Sequence, residues 1–267
     1  MVVPILCCAA AAAAPSGEEA YRFAVSLARR GARPAASDAE LAAHRRVAAR
    51  FRNVGLRVGY ERFGVPGKGS SRDVIGIKDS PADCLVIAMA HADSVPPSPG
   101  AEDNASGVGT LVALARALGT SEPPACDVWL VATGAEERPY TGTPDHLGAS
   151  ALVARLRRTN RLDDVRLALS LDEVGRGARF DLHSTASAPR EDVERRLLQD
   201  GVRWVKDPSG EGNSDHRELA RAGAPAAKLG VPDNPCRHTA CDTAGRLERG
   251  AFSRVLRILW PLLRTWT

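Results

Sequence analysis

Residues 84–107 read CLVIAMAHADSVPPSPGAEDNASG, a seven-residue apolar run followed at once by a stretch rich in acids, prolines and glycines. The apolar run does not alternate with polar residues, which is typical of a strand covered on both faces in a parallel sheet. Open α/β sheets bind ligands where their strands end and the loops splay apart. The stretch therefore predicts a buried parallel strand with a ligand site at its carboxyl end.

Two further apolar runs, residues 127–133 (DVWLVAT) and 165–171 (VRLALSL), predict two more buried strands. Helical patterns at residues 106–119 and 148–160 separate the three runs, as crossover connections between parallel strands require. We therefore predict an α/β fold in which a mixed, mostly parallel twisted sheet carries helices on both faces, as a three-layer sandwich.

The flanking segments predict further elements. SDAE at residues 37–40 has the spacing of a capping box ahead of an apolar pattern with helical period. The other predictions are a helix at 18–30, strands of an exposed or edge pair at 56–63 and 72–77, a strand at 225–231, and a closing helix at 247–266.

The composition fits one domain. The chain has 267 residues, of which 44% are hydrophobic, enough for one large core. Its net charge is +4, and the arginines are scattered without the basic stripe that follows a nucleic-acid backbone, so we expect no nucleic-acid partner. Residues 17–267 are predicted to form one catalytic domain, and no transmembrane segment is expected because the apolar stretches are too short or interrupted.

The first sixteen residues and the cysteines bear on location. Residues 1–16 resemble a secretory signal that is short and lacks a basic start, which favours a secreted or cell-envelope protein. Outside that segment four cysteines remain, an even number that fits an oxidising compartment. We predict a Cys236–Cys241 disulfide, whereas the pairing of Cys84 with Cys126 stays open. Four reduced thiols in a cytosolic protein are the alternative.

Possible metal ligands follow the predicted strands. His91 ends the first run, Glu136 and Glu137 follow the second, and Asp172 follows the third, while Asp103 precedes a helix and His238 lies near the C-terminus. Converging carboxylates resist joint ionisation unless a cation offsets their charge. Nitrogen and oxygen donors without thiolate suit Zn²⁺, and this number of ligands suits two ions that share one carboxylate. Each feature alone is ordinary, since paired glutamates are usually solvated and DNASG could cap a helix.

Six segments together resemble the co-catalytic zinc aminopeptidase family of bacterial leucyl aminopeptidases and aminopeptidase Y. They are AHADSV (90–95), GAEDNASGVGTLVALARAL (100–118), VATGAEE (131–137), SLDEVG (170–175), SDHRELARAGAPAAKL (214–229) and HTACDT (238–243). The resemblance runs from about residue 20 to the C-terminus. It implies an enzyme that hydrolyses N-terminal peptide bonds of peptides or small aminoacyl substrates, and we expect the protein to be a monomer.

The resemblance also implies roles for individual residues. It implies two zinc ions, the first held by His91 and Asp172, the second by Glu137 and His238, with Asp103 bridging them. It further implies that Glu136 is the general base that takes a proton from a shared water, and that Asp93 orients the imidazole of His91.

The sequence departs from the family at two places. Arg237 stands where many relatives have a tyrosine, and it either stabilises the oxyanion or points to solvent. Residues 138–150 contain a few extra residues, so Tyr140 and His146 are expected to reshape the substrate pocket. His146 and His216 are interpreted as surface or supporting histidines and not as ligands.

Three other functions stay open at this stage. Glutaminyl cyclases resemble the same fold and motif but bind one zinc, and carboxypeptidases of this fold cleave from the other end. The third possibility is a binding module that has lost its chemistry, although every expected ligand and the base are present.

Overall fold

A mixed eight-stranded sheet organises the chain in a computed structural model that describes residues 14–184, 201–206 and 212–267. The strands are β1 (Arg57–Val65), β2 (Gly69–Lys78), β3 (Leu85–His91), β4 (Asp127–Thr133), β5 (Val165–Leu171), β6 (Asp181–Ser184), β7 (Arg203–Lys206) and β8 (Ala226–Gly230). Their order in the sheet is β1-β2-β4-β3-β5-β8-β6-β7. The centre, from β4 to β8, is parallel, whereas β1, β2 and β6 pair antiparallel to their inner neighbours.

Seven α-helices of the described residues connect or flank these strands. They are α1 (Gly17–Ala28), α2 (Asp38–Asn53), α3 (Ser106–Thr120), α4 (Arg138–Thr141), α5 (Leu147–Arg158), α6 (His216–Arg221) and α7 (Arg249–Thr265). Apolar residues of α1, α2, α3 and α7 pack on one face of the sheet, and those of α5 and α6 pack on the other. The predicted three-layer α/β sandwich is confirmed.

The central strand β3 shows why the three apolar runs lack alternation. Val86, Ala88 and Ala90 pack against the first helical layer, whereas Ile87 and Met89 pack against the second. Every residue of the strand is buried. An unbroken apolar run is therefore the sequence that a strand between two helical layers requires.

Most predicted elements are present. The edge pair is only partly as expected, because β1 lies at the edge while β2 pairs on both sides and buries Val74, Ile75 and Ile77. The sequence analysis missed β6, β7, α4 and α6. These elements span only four to six residues, too few to display a period.

Helix α2 begins at the predicted capping box with one difference. The Ser37 hydroxyl accepts a hydrogen bond from the backbone N–H of Glu40 at 3.2 Å. The Glu40 carboxylate does not return to the backbone of Ser37, but accepts from the N–H of Ala36 at 2.7 Å. Glu40 is fully buried, so this carboxylate has a role beyond the helix end.

Two disulfides are formed. Cys236–Cys241 is confirmed, and Cys84–Cys126 joins the residues just before β3 and β4. No helix within the described ranges is long and apolar enough to cross a membrane. The division into a leader at residues 1–16 and a catalytic domain at 17–267 stays a prediction, since residues 1–13 lie outside the described residues.

Candidate metal centre

Three parallel strands deliver acidic and imidazole side chains to one edge of the sheet. Strand β3 lies between β4 and β5, so the carboxyl ends of all three strands meet at that edge. His91 is the last residue of β3, Glu136 and Glu137 follow β4, and Asp172 follows β5. The strand-end argument therefore predicted these neighbours correctly.

The first possible metal group consists of His91, Asp103 and Asp172. The Nε2 atom of His91 lies 3.1 Å from Oδ1 of Asp103 and 3.5 Å from Oδ1 of Asp172. All three side chains are buried. Asp103 reaches the group from a kinked segment, Ala101–Ala105, that leads into α3 and has non-helical backbone angles at Asp103 and Asn104.

The second group shares Asp103 with the first. The Nε2 atom of His238 lies 2.9 Å from Oε2 of Glu137 and 3.2 Å from Oδ2 of Asp103. One oxygen of Asp103 thus faces His91 and the other faces His238. The side chain of His238 is 28% exposed, so this group lies nearer the surface than the first.

Both groups fit zinc. In each group, one atom from each residue lies within 4.8 Å of the others, and a third combination that meets this criterion joins His91 with Glu136 and Glu137. Asp103 Oδ1 and Asp172 Oδ1 are buried oxygens without a hydrogen bond, an arrangement that is costly unless a cation binds there. Histidine nitrogens and carboxylate oxygens without a thiolate are the donors expected of a hydrolytic zinc site.

The ionisation of the groups shows the same need for positive charge. Burial opposes protonation of His91, but the neighbouring carboxylates, Glu136 foremost, raise its pKa well above the usual value. Hydrogen bonds with Asp103 and Glu137 raise the pKa of His238 to about 10. Burial, followed by the charge of Asp103, raises the pKa of Glu137 well above its usual value. In this arrangement the protonated imidazoles compensate the negative charge of the carboxylates. Bound metal would supply that positive charge in their place.

Asp93 supports both sides of the site. Its Oδ2 accepts hydrogen bonds from the backbone N–H groups of Glu136 at 3.0 Å and Glu137 at 3.2 Å. Its Oδ1 lies 3.5 Å from Nδ1 of His91. This position suits the orienting role that the resemblance implies, and extends it to the two glutamates.

Glu136 faces a partner that the sequence analysis missed. Its Oε1 lies 3.0 Å from Nε2 of His146, and both side chains are buried. His216 is buried as well, so of the two alternatives for these histidines, surface or supporting, burial excludes the surface position. Both are absent from the possible metal groups found among the described residues. No motif marked His146, because its turn reads as an insertion between two family segments.

Two basic side chains contact the proposed ligands. Arg237 Nε lies 3.2 Å from Oδ2 of Asp103, and Lys228 Nζ lies 3.0 Å from Oδ2 of Asp172. Lys228 is buried in β8, which the sequence analysis read only as a strand. Arg237 therefore touches the centre directly, in contrast to a side chain that only points to solvent.

A cavity of about 300 Å³ opens at the centre. Its lining includes Glu136, Glu137, His146, Arg217, Arg237 and His238. Tyr140 packs instead against a small cluster with Ala35 and Val65, and the Lys68 ammonium lies 4.0 Å from its ring centroid. Of the two residues expected to reshape the pocket, His146 lines this cavity and Tyr140 is not among its lining residues.

Solved structures with the same fold include enzymes of two kinds. The zinc aminopeptidase BSAP from Bacillus subtilis superposes with a TM-score of 0.80 at 17% identity, over 94% of this chain and 95% of that one. A glutaminyl cyclase from an Acidobacteriales bacterium also has a TM-score of 0.80 at 17% identity, over 99% and 98%. At such identities the likeness shows the fold.

Sequence relatives match parts of the chain. Aminopeptidase YwaD of Bacillus subtilis (strain 168) is 40% identical over 90 residues, which are 31% of this chain and 19% of that protein. The uncharacterized protein YfbL of Escherichia coli (strain K12) is 34% identical over 136 residues, 47% of this chain and 39% of that protein. The chain thus spans well under half the length of these relatives.

The sequence profile described as Peptidase family M28 matches residues 73–263. This range contains all five proposed zinc ligands and both Glu136 and Asp93. The match confirms the resemblance to zinc aminopeptidases that the six segments indicated. The chain belongs to peptidase family M28.

Proposed function

We propose that the protein is an aminopeptidase that binds two zinc ions and removes N-terminal residues from peptides or small aminoacyl substrates. The observation that carries the proposal is the position of Asp103, whose Oδ1 faces His91 and whose Oδ2 faces His238. A carboxylate shared between two complete groups of nitrogen and oxygen donors suits a pair of metal ions. Membership of peptidase family M28 supports the reaction class.

The proposed ligands divide between two sites. His91 and Asp172 would hold one zinc, Glu137 and His238 the other, and Asp103 would bridge them. Zinc bound there would polarise the scissile carbonyl and lower the pKa of a bound water. The chain itself must then supply a proton acceptor and hold the substrate.

Glu136 is proposed as that acceptor. Glu137 is occupied by His238 at 2.9 Å, whereas Glu136 faces the cavity and has His146 as its partner. Glu136 would accept the proton of the attacking water and pass it to the leaving amine. Asp93 holds the backbone of both glutamates, which keeps the acceptor and the ligand at fixed relative positions.

Arg237 is proposed to serve the developing oxyanion. Its Nε already contacts Asp103, and the side chain lines the cavity. A guanidinium offers further N–H donors in the same plane, and it stays charged throughout the reaction. Arg237 would thus take the place of the tyrosine that many relatives have.

The free α-amine of the substrate would be bound by acidic side chains at the centre. Glu136 and Glu137 line the cavity, whose volume of about 300 Å³ accommodates a terminal residue. An amine-dependent site of this size would trim chain ends and spare internal bonds.

A glutaminyl cyclase is the second candidate, because solved cyclases match this fold as well as aminopeptidases do. The test measures zinc per chain together with turnover of three substrates: aminoacyl anilides, peptides that begin with glutamine, and N-blocked peptides. Two zinc ions with anilide hydrolysis are expected. One zinc with cyclisation of N-terminal glutamine would favour the cyclase, and unimpaired cleavage of blocked peptides would favour a carboxypeptidase.

We further propose that the protein is secreted or resides in the cell envelope, and that it acts as a monomer. The two disulfides support an oxidising compartment. A binding module without chemistry is disfavoured because the proposed ligands and Glu136 all lie at one centre.

A further inference from the structure

Four consecutive backbone amides after β4 donate to carboxylates from three other parts of the fold. We call residues 134–137 the glutamate elbow, because they carry Glu136 and Glu137 between β4 and α4. The N–H of Gly134 donates to Asp73 at 3.2 Å, that of Ala135 to Glu40 at 2.9 Å, and those of Glu136 and Glu137 to Asp93 at 3.0 and 3.2 Å. These amides lie beyond the paired part of β4, so carboxylates replace the missing strand partners.

One residue of the elbow, Ala135, has a backbone conformation that must be stabilised by its surroundings. Ala135 has a φ of 52°, in the left-handed region that L-residues other than glycine avoid. Such a conformation persists when the surrounding structure over-determines it. The carbonyl side of the elbow is also bound, since the oxygens of Gly134 and Ala135 accept from the N–H groups of Gly148 and Leu147, both at 3.0 Å.

Glu40 is itself fixed in place. Its Oε1 binds the N–H of Ala135, while its Oε2 accepts from the N–H of Ala36 at 2.7 Å and from the Ser71 hydroxyl at 2.8 Å. The carboxylate is fully buried and packs tightly on the elbow, because a Cβ added to Gly134 would lie 2.7 Å from its Oε1. Helix α2 is thereby joined to the segment that carries the proposed base.

We propose that Glu40 is a positioning residue that sets the direction of the Glu136 and Glu137 side chains by holding Ala135 in its left-handed conformation. Without the Oε1 contact, Ala135 relaxes toward an ordinary backbone conformation, and the peptide that follows it rotates. That rotation moves both glutamates together, since they are the next two residues. The part that concerns Glu136 rests on the proposed function, whereas the part that concerns Glu137 requires only that zinc binds.

The test compares Glu40→Ala with a control at the other end of the same strand. Asp127 begins β4 and is also buried, and its Oδ1 accepts from the backbone N–H of Ser80 at 2.6 Å. Asp127→Ala therefore removes a buried carboxylate that holds backbone, far from the elbow. Zinc affinity is measured by competition with a chelator, and kcat and KM are measured on an aminoacyl anilide, for folded protein at one temperature.

Glu40→Ala is expected to weaken the more weakly bound zinc about 10- to 100-fold and to lower kcat by a similar factor, with KM changed less than about threefold. Asp127→Ala is expected to change neither. Glu40→Gln keeps an oxygen that can accept from Ala135 but turns its NH2 group toward the Ala36 N–H, so it is expected to recover only part of both losses. If Glu40→Ala does not fold, Glu40→Asp, which withdraws the carboxylate by one methylene, takes its place.

The proposal is overturned if the Glu40 variant matches the Asp127 variant in both zinc affinity and kcat. If the wild-type protein hydrolyses no aminoacyl substrate, the proposed function fails. The zinc measurement then still decides whether Glu40 positions Glu137.

Discussion

His146 is joined to Glu136 through both side chain and backbone. The two side-chain atoms Nε2 and Oε1 lie 3.0 Å apart, and the N–H of His146 donates to the carbonyl oxygen of Glu136 at 3.1 Å. Burial lowers the pKa of the imidazole, but the charge of Glu136 and the hydrogen bonds with Glu136 and Glu218 outweigh it and raise the pKa to about 10. The carboxylate proposed as the base thus has a cationic partner in His146.

Replacing His146 by leucine is expected to lower kcat about 10- to 100-fold, because Glu136 loses the contact that directs its carboxylate. Zinc content should stay unchanged, since His146 lies outside both metal groups. The control is Glu218→Gln, because Glu218 Oε1 lies 3.7 Å from the other ring nitrogen. We expect it to change kcat less than about threefold. An unchanged kcat in the leucine variant would show that His146 does not direct the base.

Glu136→Gln is expected to retain zinc and to lower kcat by at least about 100-fold, the lower range for loss of a general base. The matched variant is Glu137→Gln at the adjacent position, which should instead lose bound zinc because it removes a proposed ligand. Zinc is measured by elemental analysis after dialysis, and kcat on aminoacyl anilides. A Glu136→Gln protein with the wild-type rate would remove Glu136 from the proposed mechanism.

The ligand set could be predicted because each strand end is visible as the end of an apolar run. His91 ends β3, Asp172 follows β5 directly and Glu137 lies four residues after β4, and parallel pairing of these strands brings their ends together. Asp103 and His238 lie outside the strands, so the residue pattern marked them only as possible ligands, and the resemblance to a family indicated their individual roles. Physical reasoning from the sequence therefore predicted the sheet and the edge at which the candidate site lies, and the resemblance to a family supplied the proposed roles of its residues.

Two supporting residues, Glu40 and Lys228, could not be predicted for a physical reason. Glu40 was read as a helix-capping residue because its spacing from Ser37 fits a capping box, and that local signal conceals its contact with Ala135. Lys228 lies in an apolar strand and pairs with Asp172, which only the three-dimensional arrangement shows. Contacts between distant segments leave no period or spacing in either segment.

His44 should make the folded state sensitive to acid. Burial lowers its pKa from 6.5 to about 4, and its Nε2 lies 3.2 Å from the Thr133 carbonyl oxygen. At a pH between these two pKa values, His44 is protonated in the unfolded chain but neutral in the folded protein. The free energy of unfolding therefore falls as pH falls. The contribution is about 3 kcal/mol at the acid end of the interval.

His44→Gln keeps a side-chain N–H for Thr133 but cannot titrate, so it isolates this effect. Denaturant unfolding of zinc-free protein, measured from neutral pH to about pH 4, should show a shallower loss of stability for the variant than for the wild type. Equal slopes in the two proteins would mean that the His44 ring is protonated in the folded state at that pH.

We expect the two disulfides to differ in what they stabilise: one mainly affects the free energy of unfolding and the other mainly affects zinc affinity. Cys84–Cys126 closes a long loop, with a sequence separation of 42, whereas Cys236–Cys241 closes a loop with a separation of 5 that contains His238. From loop entropy, the long loop contributes about 4 kcal/mol to the free energy of unfolding and the short one about 2 kcal/mol. The shorter bridge is thus the weaker contributor to stability, but it is the one that constrains a proposed ligand.

Replacing Cys236 and Cys241 by serine is therefore expected to weaken the more weakly bound zinc about tenfold or more, since His238 must be ordered when the metal binds. The matched Cys84→Ser and Cys126→Ser double variant should lose more free energy of unfolding, yet bind zinc as the wild type does while it remains folded. Denaturant unfolding and chelator competition on both proteins measure the two quantities. If the variant that loses more free energy of unfolding also loses more zinc affinity, the Cys236–Cys241 disulfide stabilises only the fold as a whole. It then has no particular role in holding His238.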